Sequence, residues 1–168
     1  IYVPVNAIQL TLANTGSFKV GDRITIQRPS TSAWIETLKT VEFGGGESAL
    51  GWKPGTRDIF WDRKIIAING STITFDAPIT TALDAKYGGA TVTKYKWNGR
   101  IAQVGIENLK LESDYHKDNI KDEYHRWTAI CLENVEDAWV RQVVFEHFAG
   151  SAVNVLASAK RITVEDCK

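Results

Sequence analysis

The stretch from Ala129 to Lys168 limits the fold more than any other part of the chain, because it repeats itself. Ile130 and Leu132 fall over Val153 and Val155 when the two halves are set in line. Val143 and Phe145 fall over Ile162 and Val164, and each pair is followed by a glutamate, Glu146 and Glu165. An earlier segment, Gly105-Ile-Glu-Asn-Leu-Lys-Leu-Glu-Ser113, carries the same half with Leu109, Leu111 and Glu112. The apolar spacing is two, and Val, Ile and Thr dominate, which excludes an amphipathic helix. Period-two strands recurring at roughly twenty residues, with Asn, Asp, Ser and Gly between them, predict a coil that stacks on itself. One coil cannot bury its inward face alone and needs a neighbour above and below. The pattern reads as the first coils of a right-handed parallel β-helix.

The chain ahead of these coils has a different grammar. Val3, Val5, Ile8, Leu10 and Leu12 alternate, and Phe18-Lys-Val-Gly-Asp-Arg-Ile-Thr-Ile-Gln27 predicts a bend at Gly21-Asp22 and a strand with Ile24 and Ile26 inward. Lys64 to Pro78 reads as a hairpin, with Asn69-Gly70 supplying the positive φ angles of a type I′ turn. Gly88-Gly89 precedes another alternating strand up to Trp97. Between these lie a short helix around Trp34, Ile35 and Leu38, a Gly44-Gly-Gly46 turn, and an aromatic-rich loop with Trp52, Phe60 and Trp61. Five or six antiparallel strands suffice for a small β-barrel. The expectation is therefore all-β, with a barrel over residues 1–98 and truncated parallel coils over 99–168. Between the first coil and the next, Ser113 to Trp127 is too charged to be core and loops out.

Bulk properties exclude several partners. Lys and Arg total 20, as do Asp and Glu, so the formal net charge is zero. Nucleic acid needs a basic footprint that this balance does not supply. No apolar run approaches the ~20 residues of a membrane span. The sequence starts at Ile1 and holds no Met, the pattern of a processed chain or a fragment. Cys131 and Cys167 fall on different coils, with Cys131 outward. Lys168 directly follows a strand without a polar cap, so the open end of the solenoid calls for further coils of the same protein or a partner chain.

The segments Phe18-Lys-Val-Gly-Asp-Arg-Ile-Thr-Ile26, Ile65-Ile-Ala-Ile-Asn-Gly-Ser-Thr-Ile-Thr-Phe-Asp-Ala-Pro-Ile79 and Gly89-Ala-Thr-Val92 resemble the small β-barrel inserted near the start of many secreted bacterial β-helix proteins. Val104 to Ser113, Asp122-Glu-Tyr-His125, Asp137-Ala-Trp-Val-Arg141 and Arg161-Ile-Thr-Val-Glu-Asp-Cys167 resemble the coils that follow in those proteins, which belong to the pectate-lyase-like superfamily. The resemblance covers nearly the whole chain but only the front of such a protein. It implies secretion or a cell-surface location, action on polysaccharides, and in polyuronate lyases a Ca²⁺ that neutralises a substrate carboxylate, with Arg or Lys as base. The fold hosts lyases, hydrolases, epimerases and adhesins alike.

The candidate chemistry follows from residue type. Asp114, Asp118 and Asp122 concentrate carboxylates on the excursion, the oxygen donors Ca²⁺ requires. His125 with Asp122 or Glu123 forms a base with an orienting partner. Trp139 and Arg141 share one face of a strand, either an aromatic beside a guanidinium fit to stack on a sugar and grip its carboxylate, or a Trp packed against the barrel and an Arg paired with a Glu on the next turn. Trp52 and Trp61 are either sugar platforms or core, Trp97 is expected in the core, and His147 is a packed histidine between Phe145 and Phe148. Asp137 and Asp166 do not reproduce the closely set aspartates of the superfamily's inverting hydrolases. The expected function is an extracellular polysaccharide-binding or -degrading β-helix protein, lyase-like rather than hydrolase-like. The alternative is a non-catalytic surface or fibre-forming β-helix protein in which the barrel caps the solenoid.

Overall fold

The structure, a computed structural model, describes residues 1–42 and 51–168. The expected Gly44–Gly46 turn lies outside them. The chain divides into two compact units, Ile1–Lys96 and Trp97–Lys168. No helix among the described residues is long and apolar enough to cross a membrane.

In the first unit the strands are β1 (Tyr2–Val3), β2 (Gln9–Thr11), β3 (Arg23–Arg28), β4 (Ile59–Asn69), β5 (Thr72–Phe75), β6 (Leu83–Asp84) and β7 (Thr91–Lys94), with helix α1 (Ser32–Leu38) after β3. Alternation decides their faces. Ile24, Ile26, Ile65, Ile73 and Phe75 point inward and pack with Leu10, Trp61, Ile79 and Leu83 into one core. Thr31 caps α1 by accepting a hydrogen bond from the Trp34 N–H, and Lys39 ends it in the left-handed region. The β4–β5 turn is centred one residue later than expected. Its two loop residues are Gly70 and Ser71, and of these only Gly70 has positive φ, the pattern of a type II′ rather than a type I′ turn.

The expected barrel does not close. The sheet runs β2-β5-β4-β3-β7, antiparallel throughout, so β2 and β7 are its open edges. Closure needs a continuous ladder between the end strands. Here the gap is instead a cavity of about 310 Å³ lined by Leu10 and Leu12 on one side, Ala90 and Val92 on the other, and Val3 and Leu83 of the β1–β6 pair.

The second unit is built from parallel pairs. Its strands are β8 (Ile101–Ala102), β9 (Gly105–Glu112), β10 (Thr128–Leu132), β11 (Val135–Glu146), β12 (Ser151–Val155) and β13 (Lys160–Glu165). β11 lies between β13 and the β8/β9 segment, and β10 pairs β12, all parallel. Ile130, Leu132, Val135, Ala138, Val140 and Val143 form the core, with Ile106, Leu111, Phe145, Val153 and Ile162 packed against it.

The strands bend at shared positions. The pairing places Gln103, Asp137 and Arg161 at one level, and Asn108, Gln142 and Asp166 at another. All six have positive φ. Each coil therefore turns through left-handed residues stacked on those of the coil beside it. Asp137 and Arg161 lie 24 positions apart, whereas Gln103 and Asp137 lie 34 apart, the extra ten belonging to the excursion. This register corrects one expectation. Ile130 and Leu132 do pair with Val153 and Val155. Ile162 and Val164, however, lie beside Ala138 and Val140, not beside Val143 and Phe145. Both registers set apolar on apolar; only the stacked corners discriminate between them.

Candidate functional site

The corners set what β11 shows to solvent. Ala138, Val140, Val143 and Phe145 face the core, which leaves Trp139, Arg141, Val144 and Glu146 outward. On the neighbouring β9 the outward residues are Gly105, Glu107, Lys110 and Glu112. The indole of Trp139 lies flat on Gly105: a Cβ there would come within 2.1 Å of the ring. Glu107 holds two of the outward side chains of β11, accepting from Trp139 Nε1 at 3.2 Å and from Arg141 Nε at 2.6 Å. Arg141 and then Trp139 pull the Glu107 carboxyl below its usual range, and Glu107 in turn raises the Arg141 guanidinium. The raised guanidinium favours the charged form, which suits Arg141 to holding an anion on this face.

One row further on, Lys110 spans two carboxylates, Glu146 at 2.7 Å and Glu112 at 3.1 Å. These partners, Glu146 first, raise its pKa and keep it charged. Both glutamates stand beside His147, with ligating atoms within 4.8 Å of one another.

The excursion folds back onto this end of the sheet. Asp122 organises it, accepting from the backbone N–H of His116 at 2.8 Å and of Tyr124 at 3.0 Å. Those two donors, with His125 adding less, depress the Asp122 pKa. Its Oδ2 lies 3.2 Å from His125 Nδ1. A proton on Nδ1 then leaves Nε2 as the basic nitrogen. Tyr115 sits between the two histidines: its ring stacks on His147 at 4.2 Å between centroids and tilts against His125 at 6.2 Å. Backbone bonds from Ala149 N–H to Arg126 O and from Gly150 N–H to Trp127 O fasten the excursion to the next coil.

The predicted residues therefore separate. His125 and Asp122 come together; Glu123 is exposed, and the histidine's carboxylate is Asp122. Asp114 and Asp118 are exposed, and Asp122 is spent on backbone donors, so the three do not gather as ligands. Among the described residues the set that converges is Glu112, Glu146 and His147. With a nitrogen in the set and an ammonium between the carboxylates, it does not match the all-oxygen shell of Ca²⁺. Trp61 is only 5% exposed, packed in the first unit's core with Nε1 donating to Thr80, which removes it from any sugar-binding surface. Trp52 is half-buried against Trp34 at 5.7 Å, with Arg57 over its ring. Trp97, expected in the core, is 43% exposed under the Arg100 guanidinium. His147 is exposed at a coil corner rather than packed between phenylalanines. Cys131 is exposed and Cys167 half-buried, and both are free thiols.

Tyr115, Glu112, Glu146 and Lys110 were not singled out from sequence. The recurrence of Glu after Leu109-x-Leu111 and Val143-x-Phe145 was the available signal for the two glutamates, since these residues are direct neighbours in the pairing.

These observations define the class: an all-β chain with an open antiparallel sheet and parallel stacked coils, with ionisable and aromatic side chains gathered at the edge of the coils. No protein-family model matches the chain, and no curated protein matches it. Among solved structures it is similar to the tailspike protein gp49 from Pseudomonas phage LKA1, at 13% identity over 86% of this chain and 21% of that one, with a TM-score of 0.38. It is also similar to the Pseudomonas phage phi297 tailspike gp61, at 14% identity over 99% of this chain and 30% of that one, with a TM-score of 0.42. The chain thus spans less than a third of the length of either.

Proposed function

We propose that this chain is part of an extracellular polysaccharide-degrading β-helix protein that cleaves its substrate by proton abstraction at the Tyr115–His125–His147 cluster. The observation that carries the reading is the Asp122–His125 pair, folded by the excursion onto Tyr115 and His147 at the end of an exposed parallel sheet. In a polyuronate, the hydrogen on the carbon next to the carboxyl is the acidic one. His125 Nε2 takes that proton while Asp122 holds the ring's other nitrogen. The bond to the adjacent glycosidic oxygen breaks, that oxygen is protonated by Tyr115, and the new chain end carries a carbon–carbon double bond. Arg141, kept charged by Glu107, sits on the same sheet to attract the substrate's carboxylates.

A second reading rests on the Glu112–Glu146 pair, two carboxylates on one face as retaining glycoside hydrolases use them. Lys110 lies between the two and would have to withdraw, so proton abstraction is the better supported.

The test is incubation of the protein with polygalacturonate, alginate, hyaluronan and the neutral polymer dextran. Elimination gives new reducing ends together with the ultraviolet absorbance of a conjugated double bond. Hydrolysis gives reducing ends without it, and binding without either supports the non-catalytic alternative. His125→Ala is expected to lower turnover by about 10²–10⁴-fold, the range for loss of a general base. Elimination at the wild-type rate in that variant would sink the assignment.

A further inference from the structure

Gly150 has no conformational need to be glycine. Its φ lies outside the left-handed range, unlike Gly70, Gly88 or Gly89. Yet a Cβ there would lie 2.3 Å from Nε1, 2.5 Å from Cε2 and 2.7 Å from Cδ1 of Trp127. Real Cβ atoms do not approach that closely, so the glycine is required by the indole that lies on it. Trp127 itself is 58% exposed. One face of the ring rests on the backbone of the neighbouring coil and the rest is turned to water. So large an apolar group left mostly exposed adds less to folding than a buried one would.

We infer that Trp127 is a sugar-stacking platform, the binding subsite next to the acid–base cluster. The inference rests on the proposed polysaccharide reading and adds a residue that does the holding. Trp127 stands where the excursion re-enters the sheet, two residues after His125, and Gly150 stands three residues after His147. The bond from Gly150 N–H to Trp127 O, 2.9 Å, fixes the two backbones together, so the indole and its glycine seat stay in register. Strand alternation puts Ile130 and Val153 in the core and therefore Trp127, Ala129 and Ala152 on the outer face. The two alanines leave a low surface beside the ring. A pyranose offers one flat face of C–H groups to an aromatic ring and a rim of hydroxyls to polar neighbours. An exposed indole seated on a glycine, two residues along the chain from His125, matches that chemistry. A protein partner would demand a broad apolar patch, and the charged excursion that leads into Trp127 does not provide one.

The experiment compares wild type, Trp127→Ala, Trp127→Phe, Gly150→Ala and His125→Ala on polygalacturonate and on whichever other glycan of the panel wild type retains. It uses retardation in native gels containing the glycan together with initial rates. Trp127→Ala is expected to raise KM, and to weaken retardation, by about tenfold with kcat within a few-fold of wild type, as for loss of one aromatic contact. Gly150→Ala keeps the indole but lifts it from its seat and should show the same loss. Trp127→Phe should recover part of it, and His125→Ala should bind normally while failing to turn over. Wild-type KM and retardation in both Gly150→Ala and Trp127→Phe, with His125→Ala inactive, would overturn the platform and leave the proposed function intact. If wild type neither retains nor cleaves any glycan of the panel, the polysaccharide reading falls and the platform with it.

Discussion

Asp122 shows how a single residue is readable in part. Its position three residues before His125 marks a local hydrogen-bonded pair, and the pair exists at 3.2 Å. What sequence does not show is that the same carboxylate anchors the backbone of His116 and Tyr124, and so shapes the excursion. This gives a pH dependence with a definite sign. The folded pKa lies below the ordinary aspartate value of 3.8, the His116 and Tyr124 donors being the larger causes. The stabilising contribution is therefore complete above that ordinary value and is lost as pH falls through the lowered one. Amide exchange at His116 and Tyr124 is expected to stay slow from neutral pH down to the aspartate range, then to accelerate relative to the core. In Asp122→Ala the same amides should exchange fast at every pH. Arg141 is the contrasting residue. Its outward face on the strand is legible from alternation, but its partner, Glu107, is 34 residues away, and their 2.6 Å contact orients the guanidinium and favours its charged form.

At the scale of elements, the coils are held in place by their corners as much as by their apolar rows. Asn108, Gln142 and Asp166 stack at one level in the left-handed region, a conformation that costs about 1–2 kcal/mol for most L-residues. Asn and Asp tolerate it better than others through their short polar side chains. A β-branched residue tolerates it least. Gln142→Val is expected to destabilise the second unit by roughly 1–2 kcal/mol, read as a lower midpoint in urea, whereas Gln142→Gly should be tolerated. Equal midpoints for the two would mean that the corner does not constrain the coil. The corners also explain the misread register. The two registers differ by five residues, an odd shift that would reverse the faces of an unbroken strand; the left-handed kink at Gln142 switches the parity within β11, so Ile162 and Val164 meet apolar residues beside Val143 and Phe145 as well as beside Ala138 and Val140. The stacking of Asp137 on Arg161 and of Gln142 on Asp166 selects the second register.

For the molecule as a whole, the two units illustrate two solutions to the same burial problem. The first packs alternating side chains of one open antiparallel sheet around Phe75, Ile24, Ile26 and Ile73, all essentially inaccessible. Phe75→Ala should cost about 3–5 kcal/mol, a large share of a typical domain's stability, and should speed amide exchange through β3, β4 and β5. Unchanged exchange there would show that Phe75 is not central to the core. The second unit stacks short parallel strands so that each coil covers its neighbour. The sequence by itself determined the strand character of the chain, the inward face of β3, the short helix around Ile35, and the pairing of Ile130 and Leu132 with Val153 and Val155. All of these follow from apolar patterning, which acts over a few residues. Only the tertiary structure decided that the sheet stays open at β2 and β7, that the coils step by 24 residues, that Trp61 is core and Trp127 is surface, and that Tyr115 joins His125 to His147. Each of these depends on which distant segments come to lie side by side, and a local pattern of period two is indifferent to that choice.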